Sequence, residues 1–327
     1  MLFDDQQEAK LTFFKRKSST RNGVVGLTFF SDGLALVQLD TSAEGDVTLR
    51  VAESVDCGAS GHAEVLAELV QRHQLQNTPC CAVLARGTYN LIQIDQPDVP
   101  EAELRDAVRW QVKDLLDFPA EQAVIELFSA VGSAGGPMNF AVAAAQENIR
   151  YVVDVMQQAN LAVKVIDIPE LALRNVLDRS FESDRGVALL SLWRDNGLVT
   201  IVRNGELCMA RRINLGVQEL VAAADVDDVD GVEISQAQQN ILDSVVLEIQ
   251  RSLDYYESSV SRQPVSTVLL APLTDPVPGL QSYLDSYLTP DVQQLDLGRW
   301  LDNGSVVMAE QSRCLAALGA ALRSDWS

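Results

Sequence analysis

Gly23-Val24-Val25-Gly26-Leu27-Thr28-Phe29-Phe30-Ser31-Asp32-Gly33-Leu34 opens one half of the chain, and Gly186-Val187-Ala188-Leu189-Leu190-Ser191-Leu192-Trp193-Arg194-Asp195-Asn196-Gly197-Leu198 opens the other. The two stretches overlay residue for residue up to the turn, where the second carries one extra residue. Each is an apolar run that breaks at Asp/Asn/Gly turn residues and resumes as a second apolar run, which is the pattern of a β-hairpin. Each hairpin is followed by a third strand, a helix and further alternating α/β structure. That order predicts a duplicated α/β unit with mixed sheets.

Working outward from the first hairpin, strands are expected over Val24–Phe30, Leu34–Asp40 and Val47–Val55, with turns at Asp32-Gly33 and Glu44-Gly45-Asp46. A helix over Ala63–His73 places Val65, Leu66, Leu69 and Val70 on one face. Cys80–Leu84 reads as a buried strand. Pro100 suits the first turn of a helix, Glu101 and Glu103 suit its positive end, and Leu104, Val108, Val112 and Leu115 recur at helical spacing. Phe118-Pro119 ends that helix. Strands Val124–Phe128 and Phe140–Ala145 follow around a Gly-rich loop at 132–137, then a helix Ile149–Ala159, a strand Val163–Ile166 and a helix Pro169 to about Arg179. In the second half, Val187–Trp193, Leu198–Arg203 and Leu207–Ile213 read as strands, and Asn204-Gly205 is the strongest hairpin signal. A long helix runs from about Ser235 to Ser258, followed by short strands and helices. The expected division is a basic tail (1–21), a first lobe (22–179) with an inserted subdomain (about 89–166), and a second lobe (184–323).

The 327 residues are 47% hydrophobic and 6% aromatic, so the core is expected to be aliphatic. A formal net charge of −21 repels phosphates and sets nucleic acid aside as a partner. Basic residues nevertheless gather in the tail, at Lys10, Lys15, Arg16, Lys17 and Arg21 beside Phe13 and Phe14. That tail reads as disordered, with membrane-surface or partner contact as the alternative. The five cysteines form no Cys-x-x-Cys pair, and the two histidines, His62 and His73, read as surface or cap residues, so no metal site is expected. Asp225–Asp230 lacks calcium-loop spacing, and Ser191 lacks the Gly-x-Ser-x-Gly elbow of a hydrolase. No apolar run approaches the ~20 residues of a membrane span, and no signal peptide opens the chain. A soluble cytoplasmic protein is expected.

Several segments in order resemble the PilM-type pilus assembly proteins, and within them the MshI-like branch of mannose-sensitive haemagglutinin (MSHA) pili. They are Arg109-Trp110 with Asp117–Val124, then Val165–Asn175, Glu248–Tyr256 and Ala317–Arg323. The resemblance implies a bilobal, FtsA-like actin fold built of duplicated RNase H-like units. It also implies a cytoplasmic scaffold at the inner face of the inner membrane. Its partner would be the N-terminal cytoplasmic tail of a PilN-like bitopic membrane protein, through which membrane association is peripheral. The pilus motor ATPase is a further expected partner. An ATP-binding PilM-like ATPase and a GspL-like secretion component are the alternatives.

In nucleotide-binding actin-fold proteins each hairpin carries an Asp followed two residues later by a Gly. The Asp organises the metal, and the Gly admits the phosphates. Here the Asp positions hold Thr28 and Ser191, and the Gly positions hold Phe30 and Trp193. The adenosine turn expected after Val268–Leu270 reads Ala271-Pro272-Leu273-Thr274. No catalytic residue, cofactor or nucleotide is therefore expected, and the chain reads as a pseudo-ATPase. The partner site is expected on the inserted subdomain at Trp110, Leu115, Leu116, Phe118, Pro119 and Ile125, an apolar cluster among Asp114, Asp117, Glu121 and Glu126.

Overall fold

The computed structural model describes residues 23–42, 47–95, 97–130, 138–181, 184–224, 235–299, 301 and 308–323. The expected tail, the turn at Glu44-Gly45-Asp46, the Gly-rich loop and the acidic loop Asp225–Asp230 lie outside the described residues.

The first half runs β1 (Val24–Phe30), β2 (Gly33–Thr41), β3 (Val47–Asp56), α1 (His62–His73), β4 (Pro79–Val83), β5 (Tyr89–Ile94), α2 (Glu101–Val112), β6 (Ala123–Ala130), β7 (Met138–Ala145), α3 (Gln146–Gln158), β8 (Ala162–Asp167) and α4 (Pro169–Ser180). The second half runs β9 (Val187–Leu192), β10 (Gly197–Arg203), β11 (Glu206–Ile213), α5 (Val217–Ala222), α6 (Gln236–Ser259), β12 (Thr267–Leu270), α7 (Leu280–Tyr287), β13 (Asp291–Gln294) and α8 (Met308–Ala321).

The duplication is visible in the sheets. One has the order β3-β2-β1-β4-β8 and the other β11-β10-β9-β12-β13. In both, the hairpin strand pairs antiparallel with its successor and parallel with the strand after the third. The hairpins differ at the turn. Phe30 still pairs with Gly33, whereas the regular pairing of the second ends at Leu192↔Gly197 and Trp193 keeps one turn bond, its N–H donating to the Asn196 carbonyl at 2.8 Å. At the next hairpin Asn204 (φ 51°) and Gly205 (φ 74°) are both left-handed, as a two-residue turn between right-twisted strands demands.

Alternate residues of β1 face opposite ways. Val25, Leu27 and Phe29 join α1 and α3 in an outer core, where Leu66, Leu69, Val152 and Met156 are buried. The second sheet's outer core is made with α5, α6 and α7. Between the sheets lie α4 and α8, and here the halves exchange parts. The helix α8, from the chain's end, packs on β1, β2 and β4, while α4 contacts β10 and β11. Leu173, Val176 and Leu177 of α4 share one cluster with Leu315 and Leu318 of α8 and with residues of both sheets. Two glycines allow this approach. A Cβ on Gly26 would lie 1.8 Å from the Ala317 carbonyl oxygen, and one on Gly319 would lie 1.9 Å from that of Ala172. The expected boundaries at 179 and 184 thus separate the sheets, but each half's last helix lies on the other half's sheet.

The inserted subdomain is a separate sheet of order β5-β7-β6 covered by α2. Its expected end at about 166 is corrected to Ala145. The strand β8 pairs with β4 in the first sheet, and Val152, Val155 and Met156 of α3 belong to the first lobe's core. Two elements, β5 and α5, were not expected from the sequence.

Candidate functional site

The C-terminal ends of β1 and β9 meet the space between the lobes. Thr28 and Ser191 are buried there, and neither hydroxyl has a hydrogen-bond partner among the described residues. Phe30 and Trp193 are half-buried and pack on the inter-lobe cluster. An arginine covers each ring. Arg313 of α8 lies 5.0 Å from the Phe30 centroid, and Arg86, from the loop after β4, lies 3.7 Å from that of Trp193. Arg313 also pairs with Asp56 and, at 3.5 Å, with Asp32. Arg194 reaches the same Asp32 at 3.4 Å, which links the two turns. Phe30 and Trp193 thus pack against one shared cluster between the sheets. At the two positions expected for a metal-organising carboxylate stand hydroxyls, and at the two expected for glycine stand arginine-capped rings. The turn after β12 carries Ala271, whose N–H donates to the Leu190 carbonyl at 2.9 Å, and Leu273, which packs on the second lobe's core.

A network with a buried Tyr–Glu pair and an exposed arginine crosses the cleft beside them. Tyr89, the first residue of β5, donates its hydroxyl to Glu170 of α4 at 2.5 Å. Arg212 of β11 approaches the same carboxylate at 3.7 Å and sits 4.8 Å from the Tyr89 ring centroid. Glu170 is 1% exposed, and burial raises its carboxyl above the ordinary value, opposed by the Tyr89 hydrogen bond and by Arg212. Burial lowers the Arg86 guanidinium to about 10. Asp167, at the end of β8, is likewise raised by burial and held against this by Arg323 at 2.8 Å. The sequence offered no local sign of this network. Glu170 follows Pro169 and reads as an ordinary first-turn acid, while its partners lie far away along the chain.

The insert divides the six expected partner-site residues. Ile125 is 3% exposed and belongs to the subdomain core with Val108, Val112 and Ala141, so it offers no surface. Leu116 and Phe118 are half-buried against that core, and Pro119 is exposed. Trp110 and Leu115 project outward, 70% and 62% exposed, the largest such values among the described large hydrophobic residues. Trp110 ends the outer stripe of α2, where Lys113 places its ammonium 4.8 Å from the ring centroid. Arg105 and Arg109 are engaged by Glu126 and Asp106. Asp114, Asp117 and Glu121 are exposed beside them.

Of the histidines, His62 is buried rather than superficial. Its Nδ1 lies 2.7 Å from the Tyr151 hydroxyl, and burial lowers its pKa. His73 contacts Glu53 at 2.8 Å. Cys80, Cys81, Cys208 and Cys314 are buried free thiols, as expected for core residues. Among the described residues no group of three His, Cys, Asp or Glu side chains could hold a metal, and no helix is long and apolar enough to cross a membrane.

Two matched α/β lobes around a cleft, with a subdomain inserted in the first, make this an actin-like fold. The structure of a PilM–PilN type IV pilus biogenesis complex is similar at a TM-score of 0.73 and 20% identity, over 91% of this chain and 97% of that one. The cytoplasmic domain of EpsL, from the type II secretion system of Vibrio cholerae, gives 0.46 at 11% identity over 90% and 94%. The ethanolamine utilization protein EutJ from Carboxydothermus hydrogenoformans gives 0.46 at 11% over 91% and 88%. No curated protein matches the sequence. Residues 82–325 match the family described as type IV pilus assembly protein PilM. The chain belongs to that family.

Proposed function

We propose that this chain is a non-catalytic scaffold of a type IV pilus assembly platform. It binds the cytoplasmic tail of a PilN-like membrane protein on its inserted subdomain and works without nucleotide. The observation that carries the partner half is the exposed Trp110–Leu115 surface, continued by half-buried Leu116 and Phe118 and by Pro119. A short extended peptide gains affinity from backbone pairing and a few apolar pockets. The acidic residues around this surface favour a tail bearing Lys or Arg, so association weakens as salt rises. The matching structure contains PilN together with PilM, which supports a tail of that kind as the ligand here. Membrane association follows through the partner, and the chain itself resides in the cytoplasm at the inner membrane. The MSHA pilus is the system we assign it to, on the segment resemblance given above. The motor ATPase remains a second partner of the same reading.

The nucleotide half rests on the paired replacements. Thr28 and Ser191 bring no charge to a metal, and Phe30 and Trp193 put capped rings where phosphates need bare backbone. These residues do not suit magnesium-ATP. Calorimetry of the full chain with magnesium-ATP is expected to show no binding heat, and tight magnesium-dependent binding would reverse this half. For the partner half, Phe118→Ser is expected to keep its circular dichroism and lose affinity for the partner's cytoplasmic tail. Full affinity in folded Phe118→Ser, Trp110→Ser and Leu116→Ser would move the site off the insert.

A further inference from the structure

The second lobe carries an apolar surface that the tail-binding reading does not use. On α6, Leu247 is 45% exposed, and on α7, Tyr287 is 55% exposed. Isolated exposed apolar residues are ordinary, but these two belong to one fixed arrangement. Leu247 stands one turn after Asp243 and one turn before Gln250, on a single stripe of α6. Asp243 accepts a hydrogen bond from the Tyr283 hydroxyl at 2.7 Å, and Gln250 donates to the Tyr287 carbonyl oxygen at 3.1 Å. The two bonds bracket Leu247 and set it beside the Tyr283–Tyr287 ring pair, whose centroids are 4.7 Å apart. The surface is therefore pre-organised, which lowers the entropy lost when a partner binds. Leu with two Tyr side chains also offers large contact area with few torsions to freeze.

Charge defines what fits. Arg251 and Arg211 both turn onto Glu248, at 2.8 and 3.4 Å. Asp243, bonded to Tyr283, and Asp254 stand on the same stripe of α6, while Asp285 turns away and accepts from the Val292 N–H at 3.0 Å. Asp254, two turns beyond Leu247, is exposed and has no hydrogen bond or ion pair among the described residues. A second copy of a chain with net charge −21 is repelled from such a rim, as are nucleic-acid and lipid phosphates.

We infer that Leu247, Tyr283 and Tyr287 form a second docking surface, and that its partner is a basic protein segment. One aliphatic side chain of that segment packs on Leu247, and a Lys or Arg sits over the tyrosine rings facing Asp254. A scaffold joins two things, and this face gives the chain a contact on the lobe opposite the insert.

The test uses the full-length protein in its native host, with the photoreactive residue benzoylphenylalanine at position 287 and, separately, at position 110. The crosslinked contact peptide is identified by mass spectrometry. The expected product at position 287 is a protein other than this chain, joined through a peptide with a surplus of Lys and Arg. Asp254→Lys is expected to cut its yield about tenfold, because like charges across an interface are strongly disfavoured, with circular dichroism unchanged. An acidic or neutral contact peptide, a crosslink to a second copy, a yield indifferent to Asp254→Lys, or no product at 287 overturns the inference. A crosslink at 287 to the same segment captured at 110 also overturns it. Products at 110 report on the tail-binding reading alone, so the two can fail separately.

Discussion

Changing Tyr89 to Phe removes one oxygen atom from a place that water does not reach. The Tyr89 hydroxyl donates to Glu170 at 2.5 Å, Glu170 is 1% exposed, and the remaining cation, Arg212, stands 3.7 Å away. Phe keeps the ring under Arg212, so the change isolates the hydrogen bond. A bond to an ionised carboxylate contributes ~1.5–3 kcal/mol, and a neutral one ~1 kcal/mol. The cost therefore depends on pH. Burial raises the Glu170 carboxyl above its ordinary 4.5, so the folded state holds this proton more tightly than the unfolded chain. Stability from this group is greatest below 4.5 and falls as pH rises through the raised value. Removing the Tyr89 donor takes away a stabiliser of the charged form, raises that value further and steepens the fall. Urea unfolding followed by circular dichroism is expected to show a loss of about 2 kcal/mol at pH 9 and about 1 kcal/mol at pH 4, below the raised value. The corresponding fall in melting temperature at the higher pH is roughly 3 °C. An equal loss at the two pH values, or none, would refute the assignment of Glu170 as a buried charge held by Tyr89.

Glu170→Gln should flatten the stability profile between pH 4.5 and 8 relative to the parent, because the group that gains a proton on folding is gone; an unchanged profile would assign the slope to Asp167, which is raised in the same direction. Gly319→Ala should destabilise by ~2 kcal/mol or more in chemical denaturation, since its Cβ would lie 1.9 Å from the Ala172 carbonyl oxygen. Helix propensity alone predicts a gain of about 1 kcal/mol there, so the sign of the result separates packing from propensity. Ser235→Ala should cost ~1 kcal/mol by removing the capping box with Gln238 that starts α6, read as a lower urea midpoint.

Strands were legible where alternation met clear turn residues. The bounds expected for β1 hold as drawn, and both hairpins fall where Asp32-Gly33 and Asn204-Gly205 placed them. The strand β5 was missed because its polar and apolar residues do not mark one buried face: Tyr89 and Ile94 are buried and the four between them are not. The exchange of α4 and α8 was also invisible, since an apolar helix face does not say which sheet it covers. The same gap governs the site. Thr28, Phe30, Ser191 and Trp193 were found by overlaying two segments, yet their arginine caps come from the loop after β4 and from α8. Around Trp110, helical spacing fixed the faces of α2, but periodicity of a single strand could not distinguish core Ile125 from a surface anchor. For His62, a position at the start of a helix suggested exposure, and the packing of Phe29 and Tyr151 against its ring decided otherwise.

The placement of α8 governs the order in which the protein can be made. The inner face of the first sheet, with Ala35, Val37 and Leu39, is finished by Leu315, Ala317 and Leu318. On a ribosome adding ~5–20 residues per second, the strands of the first lobe wait on the order of tens of seconds for that cover. During this interval the nascent first half exposes an apolar sheet face, so chaperone capture during synthesis is expected to favour it over the second half. Synthesis of α8, rather than completion of the first half, becomes the event that closes the lobe.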